Sequence, residues 1–332
     1  MNIFDGGTEH ATPNLKFGNH SMMIRQRSCI FVLAGVLISI YPFATAKELK
    51  MESQQPYIFC VENYGAIYVN PFLRNPSMEL QQAPKGMELL QPGDVLLWAP
   101  KKSQIGEHTV RVLYATKTSM AMEKKFSIRV RSVERVLCVF GHPDDEFGIV
   151  AKMKRLADRG VDVWAVWTCG GSNLRNTESR QALAKVGLKE DRLIFQNYGN
   201  LNTAKGLQQK VAPLVKLLKR LPFDQIYTNA FEGGHGQHDM SHFVTVQAAR
   251  QANFHGQIYE HPLYNMSGGK PNLFTLVPAT MPKVEMKLSQ AELDFILSLI
   301  PCYKSQKQVT SGFMVGLTHE QKTHPHYRPR PN

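Results

Sequence analysis

The 332-residue sequence lacks several features that would settle its class at once. No G-x-x-x-x-G-K-[ST] occurs, and no G-x-G-x-x-G follows a strand-like run, which excludes a phosphate loop and a dinucleotide fingerprint. The five cysteines show no C-x-x-C spacing, so a zinc ribbon or thioredoxin-type centre has no support. No fixed-period repeat is present, and 24 Gly and 19 Pro are near average usage, which removes solenoid, collagen-like and low-complexity architectures. There is no run of five like charges. The 39 basic and 27 acidic residues are dispersed, and the formal charge of +12 implies a general attraction to acidic surfaces, with no nucleic-acid partner expected. No apolar run reaches the ~20 residues needed to span a bilayer.

What is present is an ordinary globular composition, 43% hydrophobic and 20% charged, long enough for two domains. Near the start, Arg25 and Arg27 precede an apolar stretch over residues 29–41 and then Ala44-Thr45-Ala46, the layout of a secretory signal. The expectation is export to a periplasmic or extracellular location with cleavage after Ala46, or a membrane anchor if the signal stays uncleaved. Residues 1–46 would then be an upstream extension and signal, because 21 residues precede Met22 and Met23, where such a signal would begin. Residues 323–332, rich in Pro, His and Arg, read as a disordered tail.

Between these ends the periodicity changes once. Residues 64–69, 95–98, 108–114 and 125–130 read as short strands separated by turns such as Pro92-Gly93-Asp94, predicting a small β-sandwich. Trp98 there reads as a core or turn-packing residue. From residue 134 onward, continuous apolar runs at 136–140, 161–168, 192–195, 225–228 and 257–259 alternate with helical segments. The helical spacing lies at Ile149, Val150, Met153 and Leu156, then over 178–186, 207–218 and 241–251. Repeated β-α units predict an α/β domain with a mostly parallel, doubly wound, Rossmann-like sheet and helices on both faces. Its chemistry is expected in loops beyond the carboxyl ends of the strands.

Two polar clusters lie at such ends. Gly141-His142-Pro143-Asp144-Asp145-Glu146 follows the first strand of this domain; an imidazole and adjacent carboxylates there can supply metal ligands and leave one carboxylate as a general base, or merely cap a helix. The second, Glu232-Gly233-Gly234-His235-Gly236-Gln237-His238-Asp239-Met240-Ser241-His242, packs three histidines and two carboxylates into a glycine-rich loop opening a helix, for which a metal is the economical explanation. The glycines predict that this helix begins only after His238, which makes His242 a weaker ligand candidate.

His142-Pro143-Asp144-Asp145-Glu146, Thr168-Cys169-Gly170-Gly171, Arg175 with Glu178, the cluster at 232–239 and Tyr303-Lys304-Ser305-Gln306 together resemble the LmbE/PIG-L-type family of zinc-dependent N-acetylglucosaminyl deacetylases. The resemblance implies Zn2+ held by His142, Asp145 and His238. It makes Asp144 the general base toward zinc-bound water, and gives His235 the oxyanion or the departing amine. Arg175 and Glu178 become contacts to a sugar hydroxyl or members of a structural ion pair. Gln237 departs from the family, which usually has Asp between the two histidines; the expectation is that His235 loses a carboxylate partner unless Asp239 compensates. Cys169, also a departure, is expected to be a buried, inert thiol. Residues 83–110 resemble bacterial immunoglobulin-like repeats. The implied organisation is an immunoglobulin-like β domain over 47–133, a deacetylase-like domain over 134–322 and the tail. The implied substrate is an N-acetylated sugar or glycoconjugate, with cell-envelope association. The alternatives are a metal-dependent amidase for another N-acyl compound and a catalytically silent carbohydrate-binding envelope protein.

Overall fold

The structure is a computed structural model describing residues 56–69, 77–90, 94–116, 119–196, 204–269, 271–277, 284–310, 312 and 323–330. The expected signal at 25–46 lies outside the described residues. Among the described residues no helix is long and apolar enough to cross a membrane.

The described residues open with seven strands: β1 (Tyr57–Cys60), β2 (Gly65–Tyr68), β3 (Ser77–Gln82), β4 (Glu88–Leu90), β5 (Val95–Trp98), β6 (Gly106–Thr116) and β7 (Ser119–Arg131). They form two sheets, ordered β1-β7-β6-β3 and β2-β5-β4. Alternate residues of both sheets meet in one apolar core that includes Phe59, Ile67, Leu96, Val110, Val112 and Ile128. Trp98 is buried in that core, its Nε1 donating to the Lys85 carbonyl at 3.2 Å and its ring edge-on to His108.

The second region runs β8 (Arg135–Phe140), α1 (Val150–Asp158), β9 (Asp162–Trp167), α2 (Asn173–Val186), β10 (Leu193–Phe195), α3 (Ala204–Arg220), β11 (Gln225–Asn229), α4 (Gly236–Ala252) and β12 (Gln257–His261). It continues with β13 (Tyr264–Asn265), β14 (Asn272–Leu273), β15 (Val284–Lys287), α5 (Gln290–Leu299) and β16 (Thr323–Arg330). The large sheet has the order β10-β9-β8-β11-β12-β16-β15, with its first five strands parallel. Its apolar runs are continuous because both faces are covered. Val136, Cys138 and Phe140 of β8 point into a core with α1, α2 and α5, whereas Leu137 and Val139 point into the core with α3 and α4. β9 repeats the alternation, with Val163, Ala165 and Trp167 on the first side and Trp164 and Val166 on the second.

The strand at 323–330 corrects the expectation of a disordered tail over 323–332. β16 pairs antiparallel with β12, Ile258 opposite Arg330 and Glu260 opposite Arg328, and with β15 on its other side. β12 is buried along its whole length, so its outer backbone N–H and C=O groups require a partner. A polar segment satisfies that requirement as well as an apolar one, since the ladder is made by the backbone.

Residues 51–332 form one compact unit. Several polar contacts join the strands before residue 131 to the large sheet: Lys152 Nζ to Asn63 Oδ1 at 3.0 Å, Tyr259 Oη to the Tyr64 carbonyl at 2.7 Å, and Ala66 N–H to Gln257 Oε1 at 2.9 Å. The buried Asp224 carboxylate accepts from the backbone N–H of Glu134 and Arg135 and pairs with Arg131.

An ion pair fastens α5 to α1. Arg155 Nη2 donates to Glu292 Oε2 at 2.9 Å, and the Arg155 guanidinium holds the Glu292 carboxyl down to about 2, against an ordinary 4.5. A carboxyl held low in the folded state contributes stability that is fully present above its ordinary value and is lost as pH falls through about 2. Glu292→Gln is therefore expected to lower the neutral-pH Tm slightly, because a half-buried pair contributes about 1 kcal/mol, and to flatten the fall of Tm between pH ~4.5 and ~2 by the same amount. Thermal melts across that range check it.

Candidate active site

The first loop is built by β8 running into a short 3-10 turn, Asp145–Gly148. Asp145 folds back on the loop: its Oδ2 accepts from the N–H of Gly141 at 3.0 Å and of His142 at 2.9 Å. This fixes Oδ1 toward His238 Nε2, 3.2 Å away, and His142 Nδ1, 3.9 Å away. Asp144 points elsewhere, to Arg175 Nη2 at 2.9 Å, while the same nitrogen donates to the Pro143 carbonyl at 2.7 Å. Asp144 has φ +127°, a conformation L side chains rarely adopt, and such strain is stored mainly where surrounding contacts enforce it. Here the enforcing contact is Glu146, whose Oε2 accepts the Asp144 N–H at 2.9 Å.

Glu146 is fully buried, and burial raises its carboxyl above the ordinary range. Tyr303 Oη donates to Oε1 at 2.7 Å and Trp167 Nε1 to Oε2 at 3.1 Å. Glu146 and Tyr303 belong to motifs 157 positions apart in sequence, joined only by the fold. Glu178 is likewise buried, but it accepts from the Ser305 backbone N–H at 2.7 Å and from the Ser305 hydroxyl. The ion-pair expectation is corrected, because Arg175 pairs with Asp144 and Glu178 is held by Ser305. The Tyr303-Lys304-Ser305-Gln306 segment clamps two buried carboxylates, a role visible only once the chain is folded.

The second loop follows β11. The glycine-rich stretch does not delay the helix to residue 239 as expected: α4 begins at Gly236, with His235 as its N-cap and His235 Nδ1 accepting the Gln237 N–H at 3.2 Å. A ring nitrogen serves as well as a hydroxyl to satisfy a helix-start N–H, so the helix forms despite its glycine. His238 thereby sits in the first turn and is buried. His142, His235 and His238 have one ring nitrogen each within 4.8 Å of the others. Gln237 does not turn to His235; its Oε1 meets His142 Nε2. Asp239 Oδ1 accepts from Glu232 N–H at 3.0 Å and Gly233 N–H at 3.2 Å, while its charge works to raise His235 against burial. His242 faces away, with Nδ1 3.2 Å from the Asn229 carbonyl and 3.5 Å from Glu260 Oε1.

Close backbone approaches hold the two loops against their neighbours. A Cβ on Gly234 would lie 1.9 Å from the Tyr264 carbonyl oxygen, and one on Gly171 would lie 2.8 Å from the Pro143 ring. Cys169 is buried below, with Lys210 Nζ donating to its Sγ at 3.2 Å. All four cysteines among the described residues are free and buried.

The electrostatics separate the groups. Burial pushes His142 down to about 4, so its imidazole is neutral, and burial also lowers His235. Burial works to raise Asp145, but the charge and hydrogen bond of His238, with His142, hold it well below the carboxylate range. Burial and the neighbouring Asp145 charge raise Asp144 well above that range, against the opposing pull of Arg175. Burial raises Glu232 to about 8.

A neutral imidazole and an ionised carboxylate are the protonation states a metal ion requires of its ligands. Donors sharing a tetrahedral zinc at ~2.1 Å lie ~3.4 Å apart; Asp145 Oδ1 is 3.2 Å from His238 Nε2, near that spacing, and 3.9 Å from His142 Nδ1, beyond it. His142, His235 and His238, with Asp145 Oδ1 beside two of them, therefore form a group that could hold a metal ion.

Among solved structures, the chain is similar to the A40926 pseudoaglycone deacetylase Dbv21, with 12% identity, 60% of this chain and 98% of that chain covered, and a TM-score of 0.47. It is similar to the N,N'-diacetylchitobiose deacetylase of Pyrococcus horikoshii, with 16% identity, coverage of 60% and 84%, and a TM-score of 0.43. It is also similar to GalB, the 4-carboxy-2-hydroxymuconate hydratase of Pseudomonas putida KT2440, with 13% identity, coverage of 59% and 95%, and a TM-score of 0.43. No curated protein matches the chain. The family model described as PIG-L, GlcNAc-PI de-N-acetylase, matches residues 137–249, the segment that contains both loops of the site, and in that segment the chain is similar to this deacetylase family.

Proposed function

We propose that the protein is an exported zinc-dependent hydrolase that removes the N-acetyl group from an N-acetylglucosamine-containing glycan or glycoconjugate. The observation that carries the reading is the division of labour between adjacent carboxylates: Asp145 faces two imidazoles, while Asp144, raised by burial, stands beside them against Arg175. The family match over residues 137–249 directs that chemistry to an acetamido sugar. Export rests on the signal-like residues 25–46, and the strands before residue 131 are assigned to an immunoglobulin-like domain on the resemblance at 83–110.

Bound zinc supplies Lewis acidity toward the acetyl carbonyl and the attacking water. His142, Asp145 and His238 hold it. Asp144 takes the proton of the water as it attacks, and its raised affinity for protons suits it to be a base near neutral pH. His235, at the more open edge of the cluster, faces the developing oxyanion or returns a proton to the departing nitrogen. Water adds across the amide, giving acetate and a free amine.

The test is acetate release from N-acetylglucosamine oligomers and conjugates by the mature protein, with zinc content measured in the same preparation. Zinc-dependent release supports the reading. Stoichiometric zinc without acetate from any of these sugars would move the activity to another amide, and a zinc-free protein would overturn the metal site.

A further inference from the structure

Glu232 has no task in the chemistry above, yet the fold treats it as an interior group. It leaves the end of β11 and its Oε1 accepts the Leu263 N–H at 2.9 Å, stapling the histidine loop to the segment after β12. Its second oxygen, Oε2, is buried with no hydrogen-bond partner among the described residues. His238 shows the complementary defect. Its Nε2 faces Asp145 Oδ1 at 3.2 Å, so Nδ1 lies on the other side of the ring, where it is buried and also unpartnered among the described residues.

The two groups abut adjacent residues of the segment after β12. Glu232 binds the Leu263 backbone, and the His238 ring meets the Tyr264 ring edge-on at 5.4 Å. Gly234 between them is pressed against the Tyr264 carbonyl, and Asp239 ties down the N–H groups of Glu232 and Gly233. A buried donor without an acceptor is unfavourable, and so is the reverse, so one contact between the two would relieve both. A metal-ligating histidine ordinarily gives its other ring N–H to such an acceptor, which fixes the tautomer and the ring.

We propose that Glu232 is the positioning residue of His238: its free Oε2 accepts the His238 Nδ1–H when the site is loaded, leaving Nε2 as the donor to the metal. This rests on the reading of His238 as a metal ligand.

The test uses the full chain and zinc itself. Glu232→Gln keeps an acceptor for the Leu263 N–H and removes the second carboxylate oxygen. It is expected to lower zinc affinity in a chelator competition about tenfold or more, with the metal-free Tm unchanged. An unchanged zinc affinity would overturn the proposal. A second measurement needs no variant: in the zinc-loaded unaltered protein, the 15N resonance of His238 Nδ1 is expected to be of the protonated type with a slowly exchanging hydrogen, and a deprotonated-type Nδ1 would overturn the assignment even if the variant fails to fold. Failure of the underlying reading looks different, because the unaltered protein would then take up no zinc, and both would fall together.

Discussion

Asp144→Ala is expected to lower acetate release by about 10²–10⁴-fold while zinc content stays stoichiometric, the range that removal of a positioned general base produces. The two halves of this expectation have separate structural causes. Zinc is retained because the carboxylate facing His142 and His238 belongs to Asp145, fixed by the N–H groups of Gly141 and His142 and not by its neighbour. Turnover is lost because no other carboxylate takes the Asp144 position: Glu146 is engaged by Tyr303 and Trp167, and Glu178 by Ser305. Asp144→Asn keeps the shape and is expected to be equally inactive. Full activity in either variant would remove Asp144 as the base, and zinc loss in both would make it a ligand.

The same residue sets the acid side of the pH profile. In the metal-free protein burial and the Asp145 charge raise the Asp144 carboxyl well above its ordinary range, a rise that a bound cation beside it would reduce. Arg175 opposes that rise, and its replacement by methionine should move the acid limb further up.

His238→Ala is expected to lose both zinc and turnover, in contrast to Asp144→Ala. The imidazole is the buried member of the histidine group and the one closest to Asp145 Oδ1. In the metal-free protein, where the Asp145 charge outweighs burial and raises His238, its removal also leaves the buried Asp145 without that partner, so a fall in the metal-free Tm should accompany the loss. His242→Ala serves as the contrast. That ring is directed to Asn229 and Glu260, and the variant should keep its zinc. Zinc retained in His238→Ala would show that His235 takes over, since its ring nitrogen lies within 4.8 Å of the others.

By itself the sequence determined the parallel α/β core and the place of the site in it. A strand buried on both faces tends to be apolar in consecutive residues, and β8 and β9 show that pattern through their interiors. The polar groups that interrupt such runs can lie only at strand ends, so the loops at 141–146 and 232–242 were legible as one sheet edge before any coordinates. Tertiary structure alone decided what each polar group faces. Glu178 meets Ser305 across 127 positions of sequence, and Glu146 meets Tyr303 across 157. Gln237 turned to His142 and not to its near neighbour His235. The polar end at 323–330 became a strand because β12 exposed a buried edge to pair. Periodicity is a property of neighbouring residues, whereas a carboxylate's partner is chosen by whichever distant donor the packed core brings within hydrogen-bond reach.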